Sequence, residues 1–163
     1  CAALLVRYFY EPSLIRWMLK FNYPFKERVA IIGGGFAGCE LGVTLAGRGK
    51  KISIIEESKR IGTDIGMVHR WVWMKQLRDS GAKLVTEAKV VEITKGGVVI
   101  SKAGSTETIE ADTIVFATGL KPNDELAAQF SGKAPVTYLV GDCTEPGRLL
   151  EATASGFLVG QKI

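Results

Sequence analysis

The run Gly33-Gly34-Gly35-Phe36-Ala37-Gly38 carries three glycines at G-x-G-x-x-G spacing, and the acidic pair Glu56-Glu57 follows about 20 residues later. These residue types at this spacing suit one chemistry, the holding of a dinucleotide. Gly33 permits a tight turn. Gly35, without a Cβ, lets backbone approach a diphosphate closely. Gly38 lets a helix pack against a strand. The N–H groups of Phe36, Ala37 and Gly38 are then aimed at phosphate from the positive end of that helix. The carboxylate of Glu56, with Glu57 beside it, is placed to accept hydrogen bonds from an adenosine ribose. A 2′-phosphate would meet negative charge there, which favours NADH. Lys59 and Arg60 lie just downstream and keep NADPH open.

The elements that must position these residues are legible around them. Val29-Ala30-Ile31-Ile32 is a short apolar run, predicted as a buried strand. Cys39 to Ala46 has apolar residues at helical spacing, and Gly47, Gly49 and two lysines stop it. Ile52-Ser53-Ile54-Ile55 is predicted as a second buried strand ending at Glu56. Residues 64–80 are predicted as a helix, with Ile65, Val68, Val72 and Leu77 on its inner face and Ser80-Gly81 at its end. Trp71 and Trp73 are read as packing on that helix, and His69, the only histidine, as a surface or packing residue. Lys83-Leu84-Val85-Thr86 is a further strand.

The period then changes. Val90 to Thr94, Gly96-Gly97 and Val98 to Ser101 form a hairpin signal, and Thr106 to Glu110 adds a third antiparallel strand. Thr113 to Ala117 returns to the main sheet. The expected fold is α/β, a Rossmann-like three-layer domain with a parallel sheet, crossover helices and a three-stranded antiparallel meander. Upstream, Leu14 to Lys20 is predicted as a helix, with packing and interface roles both open.

Composition excludes other classes. The 163 residues are 47% hydrophobic and 23% charged, which suits one folded domain and argues against disorder. The net charge of +4 comes from scattered lysines and arginines, so no nucleic-acid partner is implied. No apolar run reaches the roughly 18 residues of a membrane span. Cys1, Cys39 and Cys143 are far apart with no C-x-x-C, so neither a redox dithiol nor a metal site is expected. A reducing, cytoplasmic setting follows as the default. Opening on Cys1, the sequence reads as a piece of a longer polypeptide.

Three motifs in order carry a family. They are Gly33 to Gly38 with Glu40 following, Ala117-Thr118-Gly119-Leu120-Lys121-Pro122-Asn123, and Thr137-Tyr138-Leu139-Val140-Gly141-Asp142. The chain resembles the NAD(P)H-binding domain of the two-dinucleotide-fold flavoproteins, the pyridine nucleotide–disulfide reductase superfamily. Residues 140–152 are similar to the tail of 2-enoate and 2,4-dienoyl-CoA reductases, which join an old-yellow-enzyme-like FMN barrel to an FAD/NAD(P)H module.

The resemblance implies a layout of a lead-in over 1–26, an NAD(P)H-binding domain over 27–132 and a remnant of the FAD domain over 133–163. It implies NAD(P)H for this chain, FAD in the full-length protein, and the remaining FAD and FMN-barrel domains as partners. It places Phe36 where relatives carry an aromatic gate, Glu40 near the nicotinamide, Thr118 and Gly119 beside the cofactor, and Gly141 and Asp142 at the FAD ribityl chain. A packing role for Phe36 and a solvated one for Glu40 stay open. No residue is read as catalytic, because the cofactors supply the chemistry. The alternatives are the same domain from an NADH oxidase or ferredoxin reductase, an FAD-only domain, and a non-catalytic NAD sensor.

Overall fold

The computed structural model describes residues 25–123, 125–130 and 132–163. The predicted helix over Leu14 to Lys20 lies outside them. Two compact units share the chain, the first ending at Thr118 and the second starting at Gly119.

In the first unit, β-branched runs make the sheet. Strands β1 (Arg28–Ile32) and β2 (Lys51–Ile55) are joined by helix α1 (Phe36–Ala46). Helix α2 (Met67–Asp79) leads to β3 (Lys83–Val85). A meander of β4 (Lys89–Thr94), β5 (Gly97–Lys102) and β6 (Ser105–Glu110) precedes β7 (Thr113–Phe116). The parallel sheet has the order β3-β2-β1-β7, and the meander is a separate antiparallel sheet in the order β4-β5-β6. This is the α/β fold that the sequence predicts.

Alternation along β1 separates two apolar layers. Val29 and Ile31 join Cys39 and Leu45 of α1 and Met74 and Leu77 of α2. Ala30 and Ile32 face the other way and join Val98, Ile100 and Ile109 of the meander. The sheet is thus covered by helices on one side and by the meander on the other. That double cover explains why its central strands read as continuous apolar runs.

The ends of the layers are pinned electrostatically. The Arg28 guanidinium contacts both Glu110 and Asp112 at 2.6 Å, joining β1 to the start of β7. Hydrogen bonding to Arg28 holds the Asp112 carboxyl down at about 2.

Two expectations are corrected. The helix predicted over 64–80 starts at Met67, so Ile65 is buried from the preceding loop. Val68 is 72% exposed and Val72 is also exposed, while Met74 and Leu77 turn inward with half-buried Trp73. Apolar residues lie on two sides of α2, and the sheet selects the side spaced three residues apart at 74 and 77. The strand that the resemblance implies before the Gly-Asp turn, at Thr137 to Val140, is not formed. Strands need a hydrogen-bonded neighbour, and none of the described residues of the second unit pairs as a strand. That unit holds helix α3 (Glu125–Phe130), a single 3₁₀ turn at Gly141–Cys143 and helix α4 (Leu149–Gly160).

Two tests follow. Leu77→Ala should cost about 2–5 kcal/mol in denaturant unfolding, and Val68→Ala should stay within about 0.5 kcal/mol. Equal costs would restore the sequence-predicted face. The second test uses pH. A depressed carboxyl contributes stability that is complete above its unfolded value and lost as pH falls through its folded one. Wild type should therefore lose stability between about pH 4 and pH 2 at this site. Asp112→Asn should flatten that part of a melting-against-pH curve.

Candidate functional site

The first unit brings the predicted residues to one edge. Gly33 follows the carboxyl end of β1, Glu56 that of β2, and Thr118 comes two residues after β7. The strand order turns around between β1 and β7, and open α/β sheets bind ligands at such a point.

Two glycines are forced by space. Gly33 has φ +106°, and a Cβ on it would stand 2.3 Å from the Ala117 carbonyl oxygen. A Cβ on Gly38 would stand 2.0 Å from the Gly33 carbonyl oxygen. The start of α1 therefore rests directly on the turn leaving β1, with Thr118 against the same turn. Cys39 closes the arrangement from below. Its thiol is fully buried and donates to the Gly34 carbonyl at 3.3 Å. Burial pushes that thiol up to about 11, which leaves it an inert packing group.

Glu56 braces the turn. Its Oε2 accepts the Gly34 N–H at 2.6 Å, and its Oε1 accepts the Ser58 N–H at 2.9 Å. Burial pushes its carboxyl upward, but these backbone donors outweigh that and hold it below the ordinary carboxylate range. The charge is thus fixed beside the glycine turn. Glu57 is exposed next to it.

The remaining residues divide. Phe36, Ala37 and Glu40 are exposed on the first turns of α1. The Phe36 ring packs against Trp73 of α2, with centroids 5.2 Å apart and planes tilted by 57°. His69 meets Trp73 edge-on at 6.4 Å. The Phe36 N–H is not simply presented outward, because it donates to Asp64 Oδ2 at 2.9 Å. Sequence reasoning missed Asp64, which it absorbed into a helix, and no spacing rule links position 64 to position 36.

Arg60 lines a cleft of about 450 Å³ with Arg70, Arg78 and Trp71. None of the glycines or acids at the turn lines that cleft. In the second unit, Gly119 has open space around it and a φ of +91°. Gly141 donates its N–H to Ser155 Oγ at 2.9 Å, and Asp142 Oδ1 accepts the Gly147 N–H at 3.2 Å. No helix among the described residues is long and apolar enough to cross a membrane.

Replacing Gly38 by Ala should destabilise the chain by about 1–3 kcal/mol, because helix and turn must separate to admit the methyl. An unchanged denaturant midpoint would show that the two can part freely.

Comparison with known proteins agrees with this geometry. A family model described as pyridine nucleotide-disulphide oxidoreductase matches residues 12–156. An NADH oxidase of Thermoanaerobacter brockii is 33% identical over 146 residues, covering 88% of this chain and 22% of that protein. A 2-naphthoyl-CoA reductase, solved in complex with 2-naphthoyl-CoA, superposes with a TM-score of 0.78 at 31% identity. The match covers 91% of this chain and 23% of the reductase. A histamine dehydrogenase from Rhizobium sp. 4-9 shares the fold at a TM-score of 0.73 and 17% identity, over 90% of this chain and 25% of its own. The chain thus spans about a quarter of the length of such relatives. With its glycine turn, its acid after β2 and a family match over most of its length, the chain belongs to the pyridine nucleotide-disulphide oxidoreductase family.

Proposed function

We propose that the chain is the NADH-binding domain of a larger flavin-dependent oxidoreductase, presenting a dihydronicotinamide to FAD. The observation that carries this is the Gly33–Gly38 contact at the carboxyl end of β1, with the Glu56 carboxylate fixed beside it. The cradle fits a dinucleotide. Gly33 and Gly38 have no room for a side chain, and an ionised carboxylate waits where ribose hydroxyls would arrive. When bound, the nicotinamide supplies the hydride. This chain's own residues bind and orient it, with Thr118 and Glu40 toward the nicotinamide end and Glu57 near the ribose.

NADH is preferred over NADPH in this reading, because Glu56 is negative and Arg60 lines a separate cleft. The layout we favour is a lead-in over 1–26, the nucleotide domain over 27–132, and 133–163 as part of an FAD domain. Its support is that no described residue from Gly119 onward is buried, as expected of a segment that needs partner chain. Gly141 and Asp142 would meet the FAD ribityl chain. The residues of this chain alone do not fit FAD, since its one glycine cradle is the turn at Gly33.

The likeness to 2-naphthoyl-CoA reductase favours a parent of the enoate or dienoyl-CoA reductase type, with an FMN barrel. The likeness to an NADH oxidase favours a second reading, the corresponding domain of that enzyme class. Cys39 and Cys143 are free thiols, which suits a cytoplasmic parent.

Calorimetric titration with NADH, NADPH and FAD in parallel tests the assignment. NADH should bind and FAD should not, and binding of FAD alone would transfer the glycine turn to a flavin site. Glu56→Ala adds a sharper test. It removes the loop brace for both nicotinamide cofactors, but the ribose contact for NADH only. NADH affinity should fall about tenfold, the worth of a charge-assisted hydrogen bond, and NADPH affinity less. Equal losses would remove the basis for the NADH preference.

A further inference from the structure

The nucleotide turn already holds an anion, and that anion belongs to the chain. Asp64 Oδ2 accepts the N–H of Phe36, the first residue of α1, at 2.9 Å. The three atoms nearest to a Cβ built on Gly35 would all belong to the Asp64 carboxyl group, at 3.3 Å and 3.7 Å. The carboxylate therefore covers the open side of Gly35 and takes the first donor at the positive end of α1. Those are the two features that a dinucleotide diphosphate needs.

The loop carrying Asp64 is anchored on both sides. The Gly62 N–H donates to the Gly34 carbonyl at 2.7 Å, and Arg70 Nε donates to the Ile61 carbonyl at 2.9 Å. Ile61 and Ile65 are buried in the helix-side core. Asp64 itself is exposed.

Resting on the nucleotide reading above, we propose that Asp64 is an intramolecular competitor of the cofactor diphosphate, and so an affinity-setting residue of the nucleotide site. In the empty domain it caps α1 by accepting the N–H of the helix's first residue. On binding, the diphosphate displaces it, because two negative groups cannot share one N–H. The contact keeps the turn formed without cofactor, and it weakens the hold on any ligand that carries a diphosphate. Ligands without a diphosphate do not meet it.

The test is titration of wild type, Asp64→Asn and Asp64→Ala with NADH, ADP-ribose and adenosine. Asn keeps an acceptor for Phe36 without the charge, and Ala removes both. NADH and ADP-ribose should bind both variants about fivefold more tightly than wild type, the scale of a charge at a helix N-terminus. Adenosine should bind all three proteins alike. Unchanged or weakened NADH binding in both variants, with wild type still binding NADH, would overturn the competitor role alone. Tightening for adenosine as well would also overturn it, since the effect would then not come from the diphosphate. No binding of NADH or ADP-ribose by any of the three proteins would remove the nucleotide reading, and the proposal with it.

Discussion

Gly38 lies so close to the turn after β1 that one added carbon would stand 2.0 Å from the Gly33 carbonyl oxygen. The rest of the unit depends on this approach. It brings the first N–H groups of α1 over the end of the central strand, and it sets α1 at the depth where Cys39 and Leu45 reach the core. Gly42 continues the fit one turn on, where a Cβ would come within 3.0 Å of Ile54 and 3.3 Å of Leu77. Two glycines one turn apart on one helix face, Gly38 and Gly42, thus fix how closely helix and sheet can pack. The position of α2 follows from that spacing.

Negative charge is gathered around this contact, and it is held in place by backbone donors. Glu56 accepts from Gly34 and Ser58, and Asp64 accepts from Phe36. A glycine-rich turn exposes N–H groups that must be satisfied whether or not a ligand is present. Here two side-chain carboxylates of the one connection between β2 and α2 satisfy them. The groups that, on the proposed reading, would recognise a cofactor's sugar or compete with its phosphates also stabilise the turn.

The second unit makes a contrasting case. Its helix α4 exposes Leu149, Leu150, Phe157 and Leu158, and its Gly-Asp turn at 141–142 is closed by its own hydrogen bonds. The residues before that turn, Thr137 to Val140, include β-branched and aromatic side chains that suit a strand. A strand nevertheless exists only when another strand pairs with it, and the described residues offer none. Local preference was present there without the partner that would realise it.

What the sequence determined was local and periodic. Consecutive β-branched residues, glycines at fixed offsets and an acid at the end of the next strand specified β1, α1, β2 and the meander, because each of those signals acts within a few residues. The glycine cradle and Glu56 were legible for the same reason. Tertiary structure alone decided the inner face of α2, where two apolar sides competed and the sheet took Met74 and Leu77. It alone brought Asp64 to Phe36 across 28 residues. Such choices depend on which surfaces become neighbours after the chain has folded, and no spacing along the chain encodes them.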